Sequence, residues 1–155
     1  MKRKLDGFTV VELLVTIGII GIVGMLAIPA INSGTISLSS ASEELQANLR
    51  LARGNAVGRG VHFRVTLDMD SYTVERLHDP DEDGVWSTDT SFPPQTTRLP
   101  SSVHVSEGVG TVVEFDTRGL LYPLPEEPLS ITLDNAKTNQ TKHLKVWASG
   151  QVYEV

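Results

Sequence analysis

Two groups of side chains in this sequence have the types and spacing to do chemistry. The first is Asp79-Pro80-Asp81-Glu82-Asp83-Gly84. Carboxylates at alternate positions followed by glycine are how an EF-hand-like loop gathers hard oxygen ligands around calcium, and Asp79, Asp81 and Asp83 would be those ligands. The full motif also needs a bidentate Glu at its twelfth position, where this chain has Thr90, and Asp89 falls one residue early. Two readings follow: an irregular calcium loop completed by Glu82 and Asp89, or a solvated acidic turn between strands. The missing twelfth ligand favours the turn. The second group is one carboxylate, Glu12, the sole charge among the 24 residues from Phe8 to Ile31. An ionisable group in hydrocarbon costs on the order of 2.5–3.5 kcal/mol at mid-membrane and less toward an end. The plain reading of Glu12 is a side chain that snorkels to the interface from the first turns of an anchor.

Other chemistry is wanting. His62, His78, His104 and His143 are scattered, and His62 and His104 read as exposed strand residues. The sequence holds no His-Glu-x-x-His pair, no Gly-x-Ser-x-Gly elbow and no Walker loop. Glu43-Glu44 reads as a helix start and Glu126-Glu127 as a proline-flanked loop, both solvated. The chain therefore reads as a non-enzyme with no resident cofactor, calcium being the single candidate. There is no cysteine, hence no disulfide or thiol chemistry. The net charge is −6, which does not favour polyanion partners. Arg50, Arg53, Arg59 and Arg64 form the one basic group, and they read as an exposed helix face that pairs with acids on neighbouring molecules. The last seven residues, Ser149 to Val155, contain no Lys or Arg, so a nucleic-acid partner is not expected.

The elements that position these residues follow from periodicity. As a helix, the Phe8–Ile31 run extends roughly 36 Å at about 1.5 Å per residue, enough for a bilayer core of about 30 Å. Lys2, Arg3 and Lys4 precede it and should stay cytoplasmic, placing the rest of the chain on the far side. Gly18, Gly21 and Gly24 allow close helix packing, and Pro29 predicts a bend. Residues 32–39 are poor in helix formers, so a loosened or continuous joint between two helical segments is expected there. Ser40-Ala41-Ser42-Glu43 reads as a capping box, followed by Leu45, Leu49, Ala52 and Ala56 on one helical face. Gly58 or Gly60 ends that helix. Beyond Gly60 the period becomes two: Val61, Phe63, Val65 and Leu67 form a strand, a turn follows at 68–71, and Tyr72 and Val74 return in a hairpin. Residues 78–100 read as loop, and further strands are predicted at 102–106, 111–116, 129–134, 142–148 and 151–154. The fold class is α+β, a long N-terminal helix packed on a small antiparallel β-sheet or sandwich domain.

A short basic leader ending in Gly7, then Phe8-Thr9, then Glu12 four residues after Phe8, resembles the processing site of type IV prepilins and pseudopilins. An ordinary secretory signal is cut after its apolar region. The resemblance implies cleavage before it, by a prepilin peptidase that cuts after Gly7 and methylates the amine of Phe8. Cleavage would leave 10 basic and 18 acidic residues, a net −8. The resemblance further implies four parts: leader 1–7, transmembrane and assembly helix 8–31, a helix continuation 32–58 packed on the globular part, and an antiparallel β domain 59–155. Glu12 would carry assembly. Three later segments resemble one branch of that family, the minor pseudopilins of type II secretion and the related minor pilins of type IV pili. They are Leu49-Arg50-Leu51-Ala52-Arg53 through Arg59-Gly60, Val113 through Gly119, and Leu144 through Gly150. The implied role is a structural subunit that helps initiate or tip the type II secretion pseudopilus. The alternative is a minor type IV pilin for pilus assembly or DNA uptake. Implied partners are other pseudopilins or pilins through the N-terminal helix, the inner membrane and a secreted substrate, with the C-terminal domain extracytoplasmic.

Overall fold

A computed structural model describes residues 10, 11, 13–17, 33–81 and 83–155. Gly7, Phe8, Glu12, Gly18, Gly21, Gly24, Pro29 and Glu82 lie outside the described residues, as does most of the 8–31 segment. Among the described residues no helix is long and apolar enough to cross a membrane. The chain divides into two units after Asn32. In the first, residues 10, 11 and 13–17 are helical.

The second unit opens with a 27-residue helix, Ser33–Arg59. Leu38, Ala41, Leu45, Leu49, Ala52 and Ala56 are buried, at steps of three and four that place them on one face. The expected capping box, Ser40 to Glu43, lies inside this helix. The reason is packing: Leu38 and Ala41 extend the buried stripe toward the N-terminus. Full burial of a Leu contributes about 1.5–3 kcal/mol, against propensity costs of at most about 1 kcal/mol per residue. Ser42, expected in a cap, is buried in mid-helix and donates its hydroxyl to Glu154 (3.1 Å). The helix ends at Gly60, whose φ of 65° suits glycine and whose N–H reaches back to Ala56 O (3.0 Å).

Nine antiparallel strands follow among the described residues. They are β1 (Phe63–Leu67), β2 (Ser71–His78), β3 (Ser87–Thr88), β4 (Gln95–Arg98), β5 (Val103–Glu107), β6 (Val112–Phe115), β7 (Leu129–Asn135), β8 (Gln140–Val146) and β9 (Val152–Glu154). One sheet runs β3-β2-β1-β6, with β4 also pairing β2, and the other runs β5-β7-β8-β9. The predicted β1–β2 hairpin is present, with Leu67 opposite Tyr72 and Asp68 N donating to Ser71 O. Residues 78–100, expected as loop, contribute β3 and β4, because β2 runs on to His78 and leaves an edge that both short strands fill. The helix packs on β1 and β6 of the first sheet and on β5, β7, β8 and β9 of the second. Its buried stripe thus meets Phe63, Val65, Phe115, Ile131, Leu144 and Val146 in one core.

Candidate functional site

Helical residues near the N-terminus carry an apolar surface. Val10, Val11, Leu13, Leu14, Val15 and Ile17 are all exposed, Val10 by 75 % and Leu14 by 64 %. A helix that is apolar around its whole circumference needs a membrane or other helices to cover it. This stretch is the candidate assembly surface. Gly7, Phe8 and Glu12, the residues expected to carry processing and assembly, are outside the described set.

In the second unit, the three segments singled out in the sequence meet at one guanidinium. Arg53, on the helix, donates its Nε–H to Gly119 O (3.0 Å). Gly119 belongs to a tight turn after β6 that Asp116 organises. One oxygen of this buried carboxylate accepts the N–H groups of Arg118 (2.8 Å) and Leu120 (2.9 Å), and the other accepts the Arg118 guanidinium. Burial alone would push the Asp116 carboxyl up, but the Leu120 N–H and the Arg118 donors outweigh it and hold its pKa below the ordinary value. Gly150 closes the turn between β8 and β9 and lies against the same place. A Cβ there would stand 2.2 Å from Gly119 O and 2.8 Å from Arg53 Nε, and one on Gly119 would stand 2.8 Å from Val57 Cγ2. Both glycines have positive φ, 76° and 74°. Leu121 N donates to Ala148 O (3.0 Å), joining the two turns directly. The helix is therefore seated on two backbone turns whose approach only glycine permits.

The four arginines do not form one exposed helix face. Arg53 bonds Gly119 O through Nε alone, Arg50 Nη2 donates to Val152 O (3.1 Å), and Arg64 pairs with Glu114 across β1 and β6 (3.0 Å). Arg59 sits in the last helical turn, where a cation complements the helix dipole.

The histidines are likewise redistributed. His62, expected exposed, is buried: its Nδ1–H donates to Glu114 Oε1 (2.8 Å), and Trp86 stacks on its ring at 3.9 Å. Pairing β1 with β6 brings Glu114 alongside, and the loop carrying Trp86 covers the imidazole. Both Glu114 oxygens accept bonds, one from His62 and one from Arg64, so this carboxylate joins strands. His104 meets Asp70 (2.6 Å) and His143 meets Thr132 (3.0 Å), so the imidazoles stay apart.

The acidic loop is held by its own backbone. Asp79 accepts the N–H groups of Asp83 (3.2 Å) and Gly84 (2.8 Å), and Asp83 accepts that of Val85 (2.8 Å). Among the described residues no group of three or more His, Asp or Glu side chains could hold a metal ion. Asp89, the other candidate for a calcium shell, is buried and engaged elsewhere. It accepts the Ser91 hydroxyl (2.6 Å) and pairs with Arg76, and these donors lower its pKa to about 2.

A family profile described as type II transport protein GspH matches residues 41–150. The prokaryotic N-terminal methylation motif matches residues 2–28. No curated protein matches the chain in sequence. Among solved structures, the fold is similar to the type IV minor pilin FimU of Pseudomonas aeruginosa strain PAO1. The TM-score is 0.55 at 19% identity, covering 75% of this chain and 86% of that one. It is similar as well to the minor pseudopilin EpsH from the type 2 secretion system of Vibrio cholerae. There the TM-score is 0.55 at 14% identity, covering 77% of this chain and 96% of that one. The family match spans all three segments that meet at Arg53.

Proposed function

Because this chain belongs to the GspH family of type II transport proteins, we propose that it acts as a minor pseudopilin. It is a structural, non-catalytic subunit that helps initiate or tip the pseudopilus of type II secretion. The observation that carries the reading is the methylation motif over 2–28 standing ahead of the family match over 41–150. The exposed apolar helical residues between 10 and 17 fit a surface made to be covered. In this reading a prepilin peptidase cuts after Gly7 and methylates Phe8. The chain waits in the inner membrane with its β domain extracytoplasmic, and it leaves the bilayer to join other pseudopilins through the N-terminal helix.

Glu12 gains a role from that transfer. After cleavage the amine of Phe8 lies four residues from it. In a core of packed helices an unpaired charge costs several kcal/mol, and pairing across subunits offsets much of this. A neighbour's amine that meets Glu12 would fix the axial register of each added subunit. Complementing a deletion strain with Glu12→Ala tests the reading. Membrane level and leader cleavage are expected to stay normal, while filament incorporation is lost. Normal incorporation at normal abundance overturns the pairing mechanism. Processing has its own test, intact mass of the membrane-extracted protein. Wild type should begin at methylated Phe8, and Gly7→Leu should keep its leader.

A second reading is a minor type IV pilin, because the fold matches FimU and EpsH with equal TM-scores and does not choose between them. A deletion that stops secretion but spares twitching supports the pseudopilin; the reverse supports the pilin.

A further inference from the structure

Arg50 and Arg53 leave the helix three residues apart and line one small pocket, closed by Gly150, Gln151, Val152 and Tyr153. Single bonds to backbone orient both guanidiniums, Arg50 on Val152 O and Arg53 on Gly119 O, and Arg50 also reaches Gln46 Oε1 (3.1 Å). Among the described residues, Arg64, Arg76 and Arg118 each have a carboxylate, whereas Arg50 and Arg53 have none. Among the described residues no acidic side chain lines the pocket. A guanidinium carries five N–H donors, so most of those on Arg50 and Arg53 remain uncommitted, and two cations share one recess without an anion.

We propose that Arg50 and Arg53 form a socket for a single carboxylate. The guanidinium fork matches the edge of a carboxylate with two parallel charge-assisted bonds. The pocket volume, about 170 Å³, is below the roughly 300–1,000 Å³ of small-molecule sites, so it takes one planar group rather than a metabolite. A chain of net charge −6 repels a polyanion but little resists one carboxylate held by two arginines. The carboxylate comes from a Glu or Asp of another polypeptide or from a free organic acid. The inference does not depend on the filament reading, because the socket is complete within this chain.

The test uses full-length ¹⁵N-labelled protein in detergent micelles and follows the Arg Nε–H resonances at constant ionic strength. Sodium acetate and acetyl-Ala-Glu-Ala-amide are the probes, with acetyl-Ala-Gln-Ala-amide as the uncharged control. The Arg50 and Arg53 resonances are expected to move together and saturate on one curve, while that of the exposed Arg59 does not saturate. Arg50→Gln, at an exposed position that leaves the core untouched, should weaken binding about fivefold as read at Arg53. Tighter binding of the Glu peptide than of acetate assigns the source to a polypeptide, and equal binding assigns it to a free acid. Absence of saturation, unchanged affinity in Arg50→Gln, or saturation by inorganic phosphate but by neither carboxylate overturns the proposal.

Discussion

Residues 10, 11 and 13–17 and the Ser33–Arg59 helix have the same secondary structure but treat their apolar side chains in opposite ways. The long helix buries one stripe, Leu38 to Ala56, and turns Gln46, Asn48 and Arg50 to donors and acceptors on its own domain. The N-terminal residues expose Val10, Val11, Leu13, Leu14, Val15 and Ile17 alike. One helix is satisfied by the chain that carries it. The other holds apolar surface that a membrane or further helices would cover.

The strongest way to break this contrast is to truncate one leucine in each stretch. Leu49 is fully buried, so Leu49→Ala should cost about 2–5 kcal/mol, read as a fall in the urea midpoint of the protein in detergent. Leu14→Ala should leave that midpoint unchanged while reducing filament incorporation. Equal destabilisation by both would erase the distinction.

Glycines sharpen the comparison within the long helix and its seat. Gly54 is helical and exposed, with nothing within 4 Å of an added Cβ, so Gly54→Ala should stabilise by about 0.5–1 kcal/mol. At Gly150 the Cβ meets backbone and φ is positive, so Gly150→Ala should destabilise by about 1–3 kcal/mol. Thermal melts of the two variants should therefore shift in opposite directions.

A smaller effect separates the loop after β2 from the helix seat. The Asp89 pKa is depressed to about 2 from an ordinary 3.8. The unfolded chain therefore takes up its proton first on acidification. The stabilisation is full above pH 3.8 and is lost as pH falls toward 2. Urea midpoints measured from pH 5 to pH 2 should fall less steeply for Asp89→Asn than for wild type. The smallest effect is expected at the acidic loop, where Asp79 and Asp83 already serve backbone N–H groups. Millimolar calcium should leave the melt of wild type unchanged, whereas a rise abolished by Asp81→Ala would support the calcium reading.

Much of the fold is written locally. The alternation from Val61 to Leu67 marks β1, the polar turn at 68–71 sets the hairpin, and Gly60 ends the helix because only the turn conformation of its own residues is at stake. Fold class and the family resemblance were legible for the same reason, since hydropathy, period and a contiguous motif need no knowledge of distant residues. That Ser40 to Glu43 is helix interior and not a cap was not legible, because Leu38 and Ala41 gain their burial from strands that follow much later in the chain. Nor was the fate of His62, which depends on Glu114 arriving beside it 52 residues on and on Trp86 closing over it. The same holds for Arg53. The sequence marked Leu49 to Gly60, Val113 to Gly119 and Leu144 to Gly150 as three separate stretches. Their meeting at one guanidinium was decided by the pairing of β6 with β1 and of β8 with β9, which brings two glycine turns under the helix. Local sequence sets what each segment can form, but a long-range contact exists only once packing of both sheets on the helix has selected which segments touch.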